Sequence, residues 1–142
     1  VFSRRFHIEA YDNKGNLINH STINNYQIYQ SKEWKKALLG YNILQTSTGK
    51  TYIVYNDNKK NTDLNGGQSK ITIASTMSNF NLKLVEINSQ GKPIKVETID
   101  QDQFGKYAVA INQIVELNGS FYSLATKLGR SQYKIAKWSI QD

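Results

Sequence analysis

The stretch "TYIVYNDNKKNTDLNGG", Thr51 to Gly67, begins as a β-strand and ends as a polar run closed by two glycines. The two-residue period of a strand sends Tyr52 and Val54 to one face and Ile53 and Tyr55 to the other. Upstream, "YNILQTSTGK" (Tyr41 to Lys50) supplies a second strand and a turn at Thr48-Gly49. Downstream, "FNLKLVEINSQGKPIKVETI" (Phe80 to Ile99) reads as another hairpin, turning around Ser89-Gln90-Gly91. Two hairpins in succession predict a four-stranded antiparallel sheet over residues 41–99.

The same signals recur on both sides. "FHIEAYDNKGNLINHSTI" (Phe6 to Ile23) is two strands around Asn13-Lys14-Gly15-Asn16, and "INQIVELNGSFYSLAT" (Ile111 to Thr126) turns at Asn118-Gly119, the strongest short hairpin signal. "KITIAST" (Lys70 to Thr76) and "YKIAKWSI" (Tyr133 to Ile140) add strands. Only "SKEWKKALLG" (Ser31 to Gly40) has helical features, with Ser31 as N-cap and Gly40 as C-cap. Asparagine occurs 15 times and proline once, as suits strands joined by turns.

Two kinds of hairpin alternate along the chain, so the predicted unit is a repeating four-stranded antiparallel sheet, the blade of a β-propeller. Segment 6–23 supplies the outer hairpin of one blade, 41–99 a complete blade, and 111–140 three strands of another. A closed ring needs at least four blades of roughly 40 residues, and the chain has 142 residues. It therefore reads as a partial propeller: residues 1–142 are one all-β domain or the C-terminal blades of a larger propeller. A β-trefoil or small β-barrel has the right length, but the unequal spacing from Phe6 to Phe80 and from Phe80 to Tyr133 disfavours a threefold trefoil.

"YNILQTSTGKTYIVYNDNKKN", followed by "FNLKLVEINSQGKPIKVETI", resembles the blades of uncharacterised exported bacterial β-propeller-like proteins, most specifically at Tyr55-Asn56-Asp57 and Asn61. The resemblance implies a propeller fold and an extracytoplasmic setting, in the periplasm or at the cell surface. It brings no catalytic residues. The N-terminus "VFSRRF" lacks the apolar segment of a signal peptide, so the chain reads as a processed product or part of a longer protein. No apolar run reaches the roughly 20 residues of a helical membrane span, and the absence of cysteine excludes thiol chemistry and disulfides.

The net charge of +7 is spread along the chain. A nucleic-acid binder gathers its lysines and arginines on one face to track phosphates, so nucleic acid is not an expected partner. One local exception is the run Lys127, Arg130, Lys134 and Lys137, where Tyr133 and Trp138 add aromatic surface. Asn61-x-Asp63-x-Asn65-Gly66 matches the first half of a calcium loop, but Thr72 stands where a bidentate Glu would complete the cage. The expectation is a solvated turn. If the first hairpin turns at residues 13–16, His7, Glu9 and His20 share one face, with Glu9 opposite His20. Two histidines and a carboxylate are a metal-ligand set. The simpler expectation is a wet strand face with a His–Glu pair.

There is no nucleophile elbow and no phosphate-cradling glycine loop. Asp100 and Asp102 sit in a loop and read as solvated turn residues rather than a glycosidase pair. These observations favour a non-enzymatic binding or assembly module without a cofactor, an accessory subunit of an exported or outer-surface bacterial complex. Its expected partner is another protein chain or the missing blades. The expected surface comprises Asn56, Asp57 and Asn61 on a polar rim, with Tyr133, Lys134, Lys137 and Trp138 on the last strand. The alternative is a carbohydrate-binding or carbohydrate-active propeller with its site outside this segment.

Overall fold

A computed structural model of the chain describes residues 2–28, 40–61, 79–104, 107–127 and 132–140. The predicted helix up to residue 39 and the "KITIAST" strand lie outside these residues. The described residues form nine strands and one 3-10 turn. β1 (Phe2–Tyr11) pairs with β2 (Leu17–Ile28) in a two-stranded hairpin. β3 (Asn42–Gln45), β4 (Thr51–Asn58), β5 (Phe80–Ile87) and β6 (Pro93–Asp100) make a four-stranded sheet in sequence order. β7 (Ala108–Leu117), β8 (Ser120–Thr126) and β9 (Tyr133–Trp138) make a three-stranded one. All six pairings are antiparallel. The protein is all-β, and its sheets of two, four and three strands fall where the hairpin signals predict.

Turn chemistry explains the hairpins. In three of them a short polar side chain stands three residues before a glycine of positive φ. Asp12 precedes Gly15, Thr46 precedes Gly49, and Asn88 precedes Gly91. The glycine N–H donates to the carbonyl of that polar residue each time, at 2.9–3.1 Å. The polar side chain then accepts from the turn's own backbone: Asp12 Oδ1 from Lys14 and Asn16, Thr46 Oγ1 from Lys50, and Asn88 Oδ1 from Gln90 and Lys92. The side-chain bond from Asn16 Nδ2 to Asp12 Oδ2 and then the backbone bond from Asn16 lower the pKa of Asp12 below the ordinary carboxylate value. The fourth hairpin uses Asn118-Gly119, both at positive φ, as a tight two-residue turn requires.

The four-stranded sheet is the middle layer. Tyr52 and Val54 of β4, with Leu82 and Leu84 of β5, join Val109, Ile111, Phe121, Ala125 and Trp138 in one core. Ile53, Tyr55 and Val85 join Phe6 and Ile23 of the first hairpin in a second. Being covered on both faces, β4 is buried at nearly every position, which is why Tyr52 to Tyr55 are apolar without a break. Each fully buried large side chain contributes about 1.5–3 kcal/mol, and the two cores fasten the hairpin and the three-stranded sheet to opposite faces. Among the described residues no ladder joins one sheet to another, so these strands stack as open sheets instead of closing into one barrel.

Candidate interaction surface

The polar residues that end β4 turn inward. Asn56, Asp57 and Asn61 are all buried, which corrects the expectation of a solvated rim. The reason lies in β7. Its pairing with β8 jumps from Val109↔Ala125 to Ile114↔Ser123, so residues 110–113 bulge out of the ladder, and carbonyls at and just before the bulge turn to partners outside it. Side chains take them up. Asn56 Nδ2 donates to Val109 O at 2.8 Å, Asn42 Nδ2 to Ile111 O at 3.0 Å, and Ser123 Oγ to Ala110 O at 2.9 Å. Two of these three donors come from the middle sheet, so the bulge is also a polar clamp between layers.

Asp57 faces the other way. Its Oδ1 accepts from Asn58 N and Asn61 Nδ2, both at 2.8 Å. Burial raises its pKa above the ordinary carboxylate value, against the lowering effect of those bonds and of Lys83. Tyr55, on the same face, has its phenol pushed well up by burial and then by Asp57. Lys83, paired across from Tyr55, donates to Thr98 Oγ1 at 2.8 Å. Asn61 is thus a partner of Asp57, and residues 63–66 of the half calcium loop lie outside the described residues. Asp100 and Asp102 flank Lys59 Nζ at 3.5 and 3.4 Å near the surface; Asp102 lies in the 3-10 turn, whereas Asp100 closes β6 opposite Asn81 instead of sitting in the expected loop.

On the first hairpin the predicted register is met: Glu9 stands opposite His20. The predicted His–Glu pair is not formed. Glu9 accepts a hydrogen bond from Tyr11 OH, and His7 Nδ1 lies 3.1 Å from His20 Nε2. The ring centroids are 5.4 Å apart with planes at 16°, a spacing that amounts to the N···N contact plus the two ring radii. The rings therefore meet edge to edge, one N–H donating to the other ring's lone pair. Among the described residues no group of three or more His, Asp or Glu is placed to hold a metal ion.

The last strand divides its predicted residues between two faces. Trp138 is buried and stacks on Phe121 with centroids 4.5 Å apart. Lys134 shares that inner face and sets its Nζ 4.7 Å from the Tyr107 ring centre. Tyr133, Ile135 and Lys137 point outward, with Lys137 Nζ 5.7 Å over the Tyr122 ring. Residues 133 and 138 are an odd number of steps apart, so strand alternation alone places them on opposite faces. The outer face is apolar: Val115, Leu117, Tyr133 and Ile135 are 61, 60, 66 and 73% exposed, and Leu124 stands beside Ile135. Scattered exposed apolar residues are ordinary, but five on one sheet face, grouped around Tyr122 and its overlying Lys137, mark an interaction surface. Sequence reading missed Val115, Leu117, Leu124 and Ile135, although their alternation with inward residues could have revealed them. Through this face the chain can bury apolar area against another surface.

No helix among the described residues is long and apolar enough to cross a membrane. No protein-family model matches the chain, and neither a curated protein nor a solved structure is significantly similar to it.

Proposed function

We propose that the chain is a non-enzymatic binding or assembly module, a run of propeller-like blades in a larger exported bacterial protein or complex. The observation that carries this reading is the uncovered apolar face of β7–β9. Both faces of the middle sheet are covered by a neighbouring sheet, whereas this face presents Val115, Leu117, Leu124, Tyr133 and Ile135 to solvent. A further sheet stacked there would continue the series, as blades stack in a propeller. The setting outside the cytoplasm rests on the resemblance of the 41–61 and 80–99 stretches.

Hydroxyl-radical footprinting tests the reading. Tyr133, Ile135 and Leu124 should be several-fold less reactive in the native assembly than in the isolated chain, with Tyr11 on the first hairpin as the internal comparison. Equal reactivity of the face in both preparations refutes it. Protection of this face by added glycans, with no assembly partner present, also refutes it.

A further inference from the structure

The sheet whose outer face is uncovered also has an unusual edge. Free strand edges invite pairing with other chains, and native sheets blunt them with short strands, bulges, prolines and charges. The middle sheet follows this rule. β3 is four residues long, and β6 starts at Pro93, follows a register shift at Glu86/Ile87 and carries a Lys95–Glu97 ion pair of 2.7 Å. On β7 the bulge between Val109 and Ile114 interrupts the edge. β9 has no bulge and no proline, and its charges are two lysines. Its six residues pair with β8 in unbroken register, from Thr126↔Tyr133 to Phe121↔Trp138.

The only guards on β9 are Lys134 and Lys137, and they have chemistry of their own. Neither β8 nor β9 contains an acid. Between the lysines lie exposed Ile135 and small, buried Ala136. At the end of the strand, Trp138 keeps its indole Nε1 buried without an acceptor, a donor left unsatisfied at a cost of about 1–3 kcal/mol.

We propose that β9 is the acceptor edge for a fourth strand, an acidic–apolar extended segment of a partner protein that pairs antiparallel to it. Opposite Trp138 through Tyr133, that segment reads x-acid-apolar-apolar-acid-x, so that acids meet Lys137 and Lys134 and apolar side chains meet Ala136 and Ile135. The lysines then select the partner as well as discouraging others. A strand close to this pattern, with the β-branched but polar Thr98 in the first apolar place, already exists in the chain. Val96-Glu97-Thr98-Ile99-Asp100, followed by Gln101, fills the fourth place of the middle sheet, next to a third strand as an added strand would be next to β9. This inference rests on the assembly reading and names the partner's chemistry.

The probe is a capped peptide VETIDQ added to the full chain, followed by amide exchange. The amides of 133–138 that point away from β8 should slow at least tenfold at saturation. Reversing the exposed lysines (Lys134→Glu with Lys137→Glu) should weaken binding tenfold or more without lowering Tm, and the peptide VKTIKQ should restore binding to that variant. Unchanged exchange at 133–138, protection that maps to β3 or β6, or indifference to the charge swap each overturns the inference. So does a single-stranded oligonucleotide that binds through the lysines while the peptide leaves the edge amides fast. In the native assembly, a protected outer face with freely exchanging edge amides defeats this inference and leaves the proposed function standing; an unprotected face defeats the proposed function itself.

Discussion

Replacing Asn56 with alanine tests the bulge clamp most directly. The buried amide donates to Val109 O at 2.8 Å across two sheets, at the last β7 residue paired with β8 before the bulge. Asn56→Ala removes the donor and strands a carbonyl inside the core. An unmade buried bond of this kind costs about 1–3 kcal/mol, and the small space left by the amide adds to it. We expect a loss of about 2–3 kcal/mol, read as a lower urea midpoint at constant m-value. For a chain of this size that corresponds to a fall in Tm of roughly 8–12 °C, taking about 4 °C per kcal/mol. Asn42→Ala, whose bond to Ile111 O is longer at 3.0 Å and only part-buried, should cost about 1 kcal/mol. Because both residues hold one bulge, the double variant should lose less than the sum. An Asn56→Ala loss below about 0.5 kcal/mol, or strict additivity with Asn42→Ala, refutes the clamp.

Gly91 combines a φ of +71° with close packing, since a Cβ added there would stand only 2.9 Å from Ala10 Cβ, while Gly49 has the same backbone requirement and open space. Gly49→Ala should therefore cost about 1–2 kcal/mol and Gly91→Ala clearly more, with equal thermal shifts counting against the packing of this turn on β1. Asp57 has a raised folded pKa, so its ionisation is unfavourable in the native state and stability falls as pH rises from the ordinary carboxylate value through the folded one. Asp57→Asn keeps an oxygen for Asn58 N and Asn61 Nδ2 and should stabilise the chain at pH 7, the gain disappearing in acid; a gain that persists below the unfolded pKa counts against this origin. Asn25 is fully buried with both amide atoms unpartnered, so the near-isosteric Asn25→Leu should raise stability by about 1–3 kcal/mol in urea melts, and a loss refutes the assignment.

The hairpins were legible in the sequence because their determinants are local. Alternation in Tyr52 to Tyr55, the glycine turns and Asn118-Gly119 each act within a few residues, and the Glu9↔His20 register followed from turn position alone. Asn56 and Asp57 were read as surface because polarity in a short window normally means solvent. Their burial answers a demand from β7, 53 residues away in the case of Asn56 and Val109, and nothing near Asn56 announces it. Other misses were available locally. Asp12, Thr46 and Asn88 could have been found from their common distance to a glycine, and the outward placing of Tyr133 and Ile135 from the strand period. The His7–His20 contact could not, because it depends on which ring atoms meet diagonally across the hairpin.

Each ladder among the described residues joins strands that follow one another in the chain. Backbone pairing can thus be completed by short-range closure, whereas the layers meet through side chains and the few amide bonds of the clamp. Loop-closure entropy makes such local pairing fast relative to long-range pairing. The rate-limiting event of folding should then be the docking of formed meanders, with the middle one as the template that desolvates twice. Variants at Val54 or Leu84, buried between the middle and last sheets, should slow refolding, whereas changes at turn tips such as Gly49 should mainly accelerate or slow hairpin closure before that barrier.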